Sequence, residues 1–292
     1  MAEDPRLAYL QARLQARHGD RPSGDDWRLA ESSADLSHYL EAVRRTALKR
    51  WLGEINHEMP PEAIERQLRA AWREAVDTVA AWSPEDWRAA VEWLRWLPEL
   101  PAVSHLLNGE RVPPWMRADP VTREFAFEDE ARLRDALSEQ PLAPLLAADP
   151  AANTATGTSE TAYSRNSARR GRSEAPATAS PVVRAWIDEW RRRLPGAGYC
   201  GRASGEERRR LDQVLEQVQT HVEAMRASEQ DDGRALRNAL AGRLLRHFRY
   251  GAGTAVALFA HLALDGLELE RLRAGVVTRQ LLPGRAEGRS WA

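Results

Sequence analysis

Residues 61–82 read PEAIERQLRAAWREAVDTVAAW, and this stretch decides the fold class. Its apolar residues recur at steps of three and four, which places them on one face of a helix. Pro61 suits the first helical turn, because proline lacks the amide hydrogen that this position leaves unbonded. The sequence therefore predicts an amphipathic helix over 61–82. The residues of its apolar face are Ile64, Leu68, Trp72, Ala75, Val79 and Trp82.

The same spacing continues on both sides of this helix. It predicts one long helix over 33–55, and Ser83-Pro84 reads as an N-cap followed by proline at the first position of the next helix. Further helices are predicted over 4–17, 101–107, 127–138, 141–147, 182–194, 206–228, 234–250, 255–264 and 268–274. The one β-like stretch, 275–278, is too short to indicate a sheet. We predict an all-α fold of antiparallel helix bundles.

Residues 149–180 separate two helical parts of the chain. They are small and polar, with proline and glycine, and offer too little apolar surface to form a core. We predict a flexible, disordered insertion here, between an N-terminal helical domain at 1–148 and a C-terminal helical domain at 181–292. Residues 1–148 hold 19 basic and 26 acidic residues, whereas residues 149–292 hold 23 and 17. This asymmetry favours two oppositely charged partners, or contact between the halves, over binding to nucleic acid.

The chain shows no feature of a membrane-spanning or exported protein. It contains no run of about 18 apolar residues. Its opening, Met1-Ala2-Glu3-Asp4-Pro5, lacks the basic and then apolar pattern of a secretory signal. Cys200 is the single cysteine, which excludes an internal disulfide and fits a reducing cytosol. We expect a cytoplasmic protein.

Residue counts exclude several classes of enzyme. Lys49 is the only lysine and follows Leu48, so the chain has no lysine-bearing phosphate loop, and Lys49 reads as a solvated helix residue. Residues 196–201 match the letters of a dinucleotide-binding loop, but they follow the end of a helix instead of a buried strand. We therefore expect a plain inter-helix loop there, with Cys200 as an incidental thiol.

The seven histidines give no pair at metal-binding spacing. His57-Glu58 resembles the opening of a zinc-protease motif, but Pro61 occupies the position of its second histidine. His247 and His261 could approach each other from adjacent helices, although a lone histidine on such a helix is more often packed. We expect no catalytic residue, no metal and no cofactor.

Two groups of side chains have open interpretations. Trp72, Trp82, Trp87, Trp93 and Trp96 form the densest aromatic group of the sequence. They read as core, but they cannot all face one way, so at least one is expected at the surface as an interface anchor. The basic runs 191–193 and 208–210 read as solvated helix faces, or as contacts to phosphate in lipid or RNA.

Two terminal stretches resemble a specific family. The opening YLQARLQAR at 9–17, followed by Trp27, Leu29 and Asp35-Leu36 with Tyr39-Leu40, is similar to the start of the V/A-type rotary ATPase central-stalk adaptors. That family has members in archaeal-type and in eukaryotic complexes. LELERLRAG at 267–275 resembles its closing Glu-x-x-x-Leu-Arg element, and 255–264 resembles its penultimate helix. The chain reads as a divergent bacterial member, with an insertion where part of the middle bundle is expected.

The resemblance implies a non-catalytic function. Members of the family form a funnel of three related helical bundles, which sits on the cytoplasmic face of the membrane proteolipid ring and receives the central axle. This chain would then be peripheral on the inner membrane, with ring and stalk subunits as partners in proton or sodium transport and no small-molecule substrate. The candidate partner-binding residues are Glu270, Arg273, Trp93 and Trp96.

An alternative function requires no rotary complex. A stand-alone cytoplasmic helical scaffold or regulatory protein could bind a partner helix through the tryptophan-rich region 72–96.

Overall fold

The computed structural model describes residues 5–148, 180–196, 205–227 and 233–281. No strand occurs in these ranges, and the predicted all-α fold is confirmed. Most of the predicted linker lies outside the described residues, as do Gly198, Cys200 and Gly201 of the glycine-rich loop. Within the described part of the chain, no helix is both long enough and apolar enough to span a membrane.

The described residues belong to two compact units. Unit 1 combines Met1–Arg95 with Leu194–Ala292, and unit 2 is Trp96–Arg193. These units do not follow the predicted division into domains at 1–148 and 181–292, because unit 1 takes residues from both. The C-terminal helix packs against the first, third and fourth helices of the chain, so both ends of the sequence build one core. The residues of that shared core include Trp27, Tyr39, Val43, Trp51, Ile64, Leu68, Leu272 and Val276.

Unit 1 contains eight α-helices in its described residues, numbered here by their order along the whole chain. They are α1 Pro5–Gly19, α2 Gly24–Glu31, α3 Leu36–Arg44, α4 Pro61–Trp82, α5 Glu85–Trp93, α10 Gly205–Ala227, α11 Gly233–Tyr250 and α12 Ala255–Leu281, with a 3₁₀ turn at Ala47–Trp51 that follows α3. Of these, α12 is the central element, because it packs on α1, α3, α4, α10 and α11.

Unit 2 is built from shorter helices. They are α6 Leu100–Leu107, α7 Pro114–Ala118, α8 Glu130–Ser138 and α9 Pro181–Arg193, with 3₁₀ turns at Thr122–Glu124 and Ala143–Ala148. A further 3₁₀ turn, Leu94–Glu99, crosses the boundary between the units in the sequence. Leu133, Leu137, Leu142 and Leu145 are buried, so the apolar positions of the predicted helices 127–138 and 141–147 do form core.

The predicted helix over 33–55 is interrupted. Thr46 ends it, because its hydroxyl donates to the Val43 carbonyl at 2.8 Å and accepts from the Leu48 amide at 3.2 Å. The chain re-forms as the 3₁₀ turn Ala47–Trp51. A side chain that bonds to nearby backbone competes with helical hydrogen bonds in this way. The apolar stripe stays buried across the break, from Leu36 to Ile55.

Two other predicted boundaries shift. Ser83 is the C-cap of α4, where its hydroxyl donates to the Val79 carbonyl at 2.8 Å, and α5 begins after Pro84. The stretches 255–264 and 268–274 are one helix, α12, which also absorbs the β-like residues 275–278. Gly266 and Gly275 do not break this helix, and both stand where aromatic side chains of other helices approach closely.

The turn between α11 and α12 depends on a glycine. A β-carbon on Gly251 would lie 2.7 Å from the His247 carbonyl oxygen and 2.9 Å from the Val256 side chain. Both distances are shorter than van der Waals contact, so only glycine fits. This close turn lets α11 and α12 pack side by side.

The opposite charges of the two sequence halves largely disappear in the folded units. In unit 1, residues 1–95 carry 17 acidic and 14 basic residues, and residues 194–292 carry 12 and 15. Acidic and basic residues are therefore equal in number in unit 1. Charge attraction therefore favours the pairing of the two ends of the chain, which is one of the two interpretations that the asymmetry allows.

Candidate functional site

A buried cluster of charged side chains joins the N-terminal segment to α12. His261, Asp265 and Glu268 lie at steps of four and three on α12, which places them on one face of the helix. Arg21 follows α1, and Arg50 lies in the 3₁₀ turn after α3. We call these five residues the ionic clasp.

Each guanidinium of the clasp bridges both carboxylates. Arg21 Nη1 lies 3.0 Å from Asp265 Oδ1, and Arg21 Nη2 lies 2.8 Å from Glu268 Oε1. Arg50 Nη2 donates to Asp265 Oδ1 at 2.8 Å and to Glu268 Oε2 at 2.7 Å. The indole nitrogen of Trp51 donates to Glu268 Oε2 at 3.5 Å, and the Arg50 guanidinium lies 4.6 Å from the centre of the Trp51 ring. The planar fork of arginine suits such paired contacts to carboxylates.

Burial makes this cluster sensitive to the loss of any one charge. The Asp265 side chain is 0% exposed, and those of Glu268 and Arg21 are 9% and 11% exposed. Burial alone would raise the pKa of Asp265, but His261, Arg50 and Arg21 outweigh it and hold the pKa below its ordinary value. Burial raises the pKa of Glu268, and the neighbouring Asp265 charge adds to that effect against the two arginines. Asp265 is thus the more firmly ionised carboxylate of the pair.

His261 completes the clasp as a neutral ring. Its Nε2 lies 3.5 Å from Asp265 Oδ2, and both side chains are fully buried. Burial lowers the pKa of His261 to about 4; the Asp265 carboxylate opposes this shift, and Arg21 and Arg50 add to it. The Phe248 ring packs near both His261 and His18, with ring centres 6.1 and 4.4 Å away.

A second set of contacts fixes the end of α12 to the segment between α2 and α3. Arg271 forms a bidentate pair with Glu31, at 2.6 and 2.8 Å, and lies over the Trp27 ring. Arg279 donates to the backbone carbonyls of Glu31 and Ser33, at 2.7 to 2.9 Å. Local capping holds the receiving segment in shape, because the carboxylate of Asp35 accepts the His38 amide at the start of α3.

The charged groups of these two clusters interact with other groups of the same chain. The clasp neutralises two positive charges with two negative ones through its guanidiniums, while both His261 ring nitrogens and Asp265 Oδ2 are buried with no hydrogen-bond partner among the described residues. Among the described residues, no group of three or more His, Cys, Asp or Glu side chains is arranged to hold a metal ion. What the arrangement does is join the first 55 residues to the last helix.

The predicted partner-binding residues Glu270 and Arg273 lie on α12 beside the clasp. Glu270 is partly exposed, and its carboxylate is 3.5 Å from Arg237 and 3.6 Å from His221. Arg273 is more exposed and pairs with Glu65 of α4 at 2.8 Å. Both residues thus have partners within the chain and still face solvent.

The tryptophans are mainly core. Trp72 and Trp87 are buried, and Trp82 is partly buried beneath Arg13 and Arg17, which lie 4.7 and 5.0 Å from its ring centre. Trp93, predicted at a partner surface, is only 1% exposed, so that prediction is wrong for the conformation described. Ala90 and Val91 of α5 are buried as well. Trp96 is partly buried.

The first basic run, Lys49 and the two histidines considered as a pair differ in exposure and in charged neighbours. Arg192 and Arg193 of the first basic run share Glu189 of their own helix, at 2.6 and 2.8 Å, and Arg191 lies 3.7 Å from Asp188, so two carboxylates offset two of the three charges. Lys49 is exposed, as expected of a solvated lysine. His261 has Asp265 as its charged neighbour, while His247 lies partly exposed near the end of α11.

Neither helical periodicity nor motif spacing predicts the clasp. The sequence does carry a signal for it, since AVALFAHLALDGLEL is an apolar helix interrupted at 261, 265 and 268 by polar residues on one face. Ionisable residues inside an apolar stripe are buried only when they are paired. Their arginine partners lie more than 200 residues away and follow no periodic pattern.

No family model, curated protein or solved structure matches the chain.

Proposed function

We propose that this chain is a non-catalytic adaptor of the central stalk of a V/A-type rotary ATPase. It would link the membrane proteolipid ring to the rotating axle and so take part in proton or sodium transport. Its place would be peripheral, on the cytoplasmic face of the inner membrane. The two terminal stretches that resemble the adaptor family give the proposal its starting point.

One observation supports it beyond the sequence: those two stretches contact each other in one unit. Trp27 and Tyr39 belong to the opening resemblance, and Arg271 and Leu272 belong to the closing stretch 267–275. The Arg271 guanidinium lies 4.3 Å from the centre of the Trp27 ring, and the Tyr39 hydroxyl donates to the Leu272 carbonyl at 3.5 Å. Two distant segments with one family resemblance are expected to meet if they come from one shared architecture.

The mechanics also suit an adaptor that transmits torque. A body that passes force between two partners must resist sliding of its helices. Unit 1 joins its first and last segments through bridged, buried ion pairs and through Arg279 on two backbone carbonyls. Sliding of α12 along these partners would leave buried charges unpaired, which is strongly unfavourable, so the pairs fix the register of the helices. We expect partners to dock on exposed residues around this joint, with Glu270 and Arg273 as the first candidates.

The test is affinity capture of the tagged full-length protein from membranes of its native host. Recovery of proteolipid-ring and central-stalk subunits supports the adaptor. Their consistent absence, with a different protein recovered instead, contradicts it and favours the scaffold. Capture by complementary charge should weaken with added salt, because exposed charges are screened over about 8–10 Å at physiological ionic strength.

Matched variants separate partner binding from internal pairing. Arg273→Gln and Glu65→Gln break the same exposed pair from opposite sides, and neither is expected to change stability much. If Arg273 binds a partner, R273Q lowers the recovery of ring and stalk subunits and E65Q does not. Equal recovery with both variants would assign Arg273 to the internal pair alone. Glu270→Gln and Arg237→Gln form a second such pair around the 3.5 Å contact.

A further inference from the structure

The outward face of α11 carries positive charge with no acidic residue in the helix. The sequence of α11 is GRALRNALAGRLLRHFRY, and Leu240, Leu244 and Phe248 are its buried face. The opposite half of the helix is exposed. The residues of this outer face are Arg234, Ala235, Asn238, Ala239, Arg243, Arg246, Arg249 and Tyr250.

The arginines of this face are not neutralised within the described part of the chain. Arg237, which is partly buried, pairs with Glu270, but Arg234, Arg243, Arg246 and Arg249 have no ion-pair partner among the described residues. Clustered like charges repel one another, so acidic residues between them would stabilise the folded helix. Here the exposed residues between the arginines are alanine and asparagine.

The electrostatic surroundings show the same excess. Burial lowers the pKa of His247, and the charges of Arg246 and Arg210 lower it further. Burial likewise lowers the pKa of His18 on α1, with further lowering by Arg21 and Arg249 and an opposing effect of Asp265. Two histidines on two helices thus experience the positive charge of this region.

Helix stability does not explain the whole pattern. Arg246 and Arg249 lie near the C-terminus of α11, where the helix dipole favours positive charge. Arg234 lies in the first turn, where the dipole disfavours it, and that turn contains no acidic residue. The charge runs along the entire exposed face and is not confined to the end that benefits from it.

We propose that the outer face of α11 binds the headgroups of anionic phospholipids at a membrane surface. Short side chains between the arginines leave the guanidiniums exposed, so several headgroups can bind at once. A fluid lipid layer can move a phosphate opposite each arginine, whereas a folded acidic protein would need carboxylates at matching fixed positions. Tyr250, 79% exposed at the end of the strip, has the amphipathic ring that is enriched at membrane interfaces.

Nucleic acid fits this face less well. Proteins that bind single strands interleave several aromatic rings with their basic residues so that bases can stack. The outer face of α11 has one aromatic side chain, Tyr250, at its very end. The proposal goes beyond the adaptor function and does not depend on it.

The test is co-sedimentation of the full-length protein with lipid vesicles. We expect binding to vesicles of phosphatidylcholine mixed with phosphatidylserine, little binding to phosphatidylcholine alone, and loss of binding at high salt. Each arginine near an anionic surface contributes about fivefold in affinity, so the triple variant R243Q/R246Q/R249Q should bind about a hundredfold more weakly. Glutamine keeps the helix, because its propensity is similar to that of arginine.

The matched control removes the same number of charges elsewhere. Arg117, Arg123 and Arg132 are exposed residues of unit 2, and R117Q/R123Q/R132Q should bind the vesicles as the unmodified protein does. An equal loss of vesicle binding in both triple variants would show that binding depends only on net charge, and would overturn the proposal. So would failure of the unmodified protein to bind, or displacement of vesicles by an RNA oligonucleotide at lower phosphate concentration. The vesicles contain no protein, so the outcome of this experiment is independent of the capture of ATPase subunits.

Discussion

The ionic clasp and the outer face of α11 use arginine in opposite ways. Arg21 and Arg50 are largely buried and bridge Asp265 and Glu268, so their charges are used inside unit 1. The arginines on the outer face of α11 are exposed and have no ion-pair partner among the described residues. The residue type is the same, and burial and pairing set its role. The clasp holds the ends of the chain together, while the α11 face is open to a partner.

This difference sets the expected scale of mutational effects. Breaking a buried, bridged ion pair leaves an uncompensated charge in the interior. Removing an exposed, unpaired charge leaves nothing unsatisfied, and such changes usually alter stability by no more than about 0.5 kcal/mol. The largest effects on folding should therefore come from the clasp, and the largest effects on binding from the surface.

Replacement of Asp265 should have the largest effect on stability. Asp265→Asn leaves Arg21 and Arg50 facing an uncharged group in a fully buried site, and we expect a loss of about 3–5 kcal/mol. Urea unfolding followed by circular dichroism measures it. The control is Glu41→Gln, which breaks the exposed pair with Arg45 and should cost less than about 1 kcal/mol. Similar losses in both variants would show that the clasp is no stronger than a surface pair.

Stability should fall in mild acid because of His261. Its pKa is lowered from 6.5 to about 4 in the folded protein, so the unfolded chain binds a proton first as the pH falls. The stability contributed by the neutral ring is complete above pH 6.5 and is lost between 6.5 and 4, by about 3 kcal/mol. Asp265, Arg21, Arg50 and Arg17 are the charged groups that act on this ring.

The measurement for His261 is urea unfolding of the protein and of His261→Leu at a series of pH values. The difference between the two proteins should widen in favour of the variant from pH 6.5 down to about pH 4. Parallel pH profiles would contradict the prediction that the lowered pKa of His261 causes the loss of stability in acid.

Addition of one methyl group should have opposite effects at Gly275, where α12 contacts α3, and at Gly242 on α11. A β-carbon at Gly275 would lie 2.6 Å from Cζ of Tyr39 and overlap its hydroxyl, so Gly275→Ala should cost about 1–3 kcal/mol. A β-carbon at Gly242 on α11 would have nothing within 4 Å, so Gly242→Ala should stabilise by about 0.5–1 kcal/mol. Thermal unfolding compares them, and a stabilising shift from Gly275→Ala would contradict the close packing of Tyr39 on α12.

The smallest effect on folding is expected on the α11 face. R243Q/R246Q/R249Q removes three exposed charges that lack ion-pair partners among the described residues, so the free energy of unfolding should change by less than about 1 kcal/mol. Thermal unfolding of the triple variant beside the unmodified protein checks this. A large destabilisation would mean that these arginines support the fold, and the contrast with the clasp would disappear.

Helical periodicity predicted the elements that depend on local pattern. The helix at 61–82 is α4 with those bounds, because one apolar stripe and Pro61 specify it without help from distant residues. The helix over 33–55 was predicted too long, because Thr46 matches the helical period while its hydroxyl bonds to the backbone on both sides. A local hydrogen bond of this kind is invisible to a count of apolar spacings.

The joint between the chain ends could not be predicted from pattern. Periodicity identifies which face of α12 is buried, but it does not say that α1, α3 and α4 cover that face. The polar residues at 261, 265 and 268 signal a buried network, and their partners Arg21 and Arg50 are two among 41 arginines. The low-complexity stretch 149–180 suggested a boundary between domains, whereas the core of unit 1 forms from segments on both sides of it.

The central claim is that the first 55 residues and α12 form one body through the ionic clasp. A double-mutant cycle on Arg50→Gln and Asp265→Asn tests it most directly, with the free energy of unfolding measured for the unmodified protein, each single variant and the double variant. The 2.8 Å contact in a buried site predicts a coupling energy of at least about 2 kcal/mol, so the double variant should lose much less than the sum of the single losses. Losses that add within about 0.5 kcal/mol would show that the two residues do not interact, and would contradict the claim.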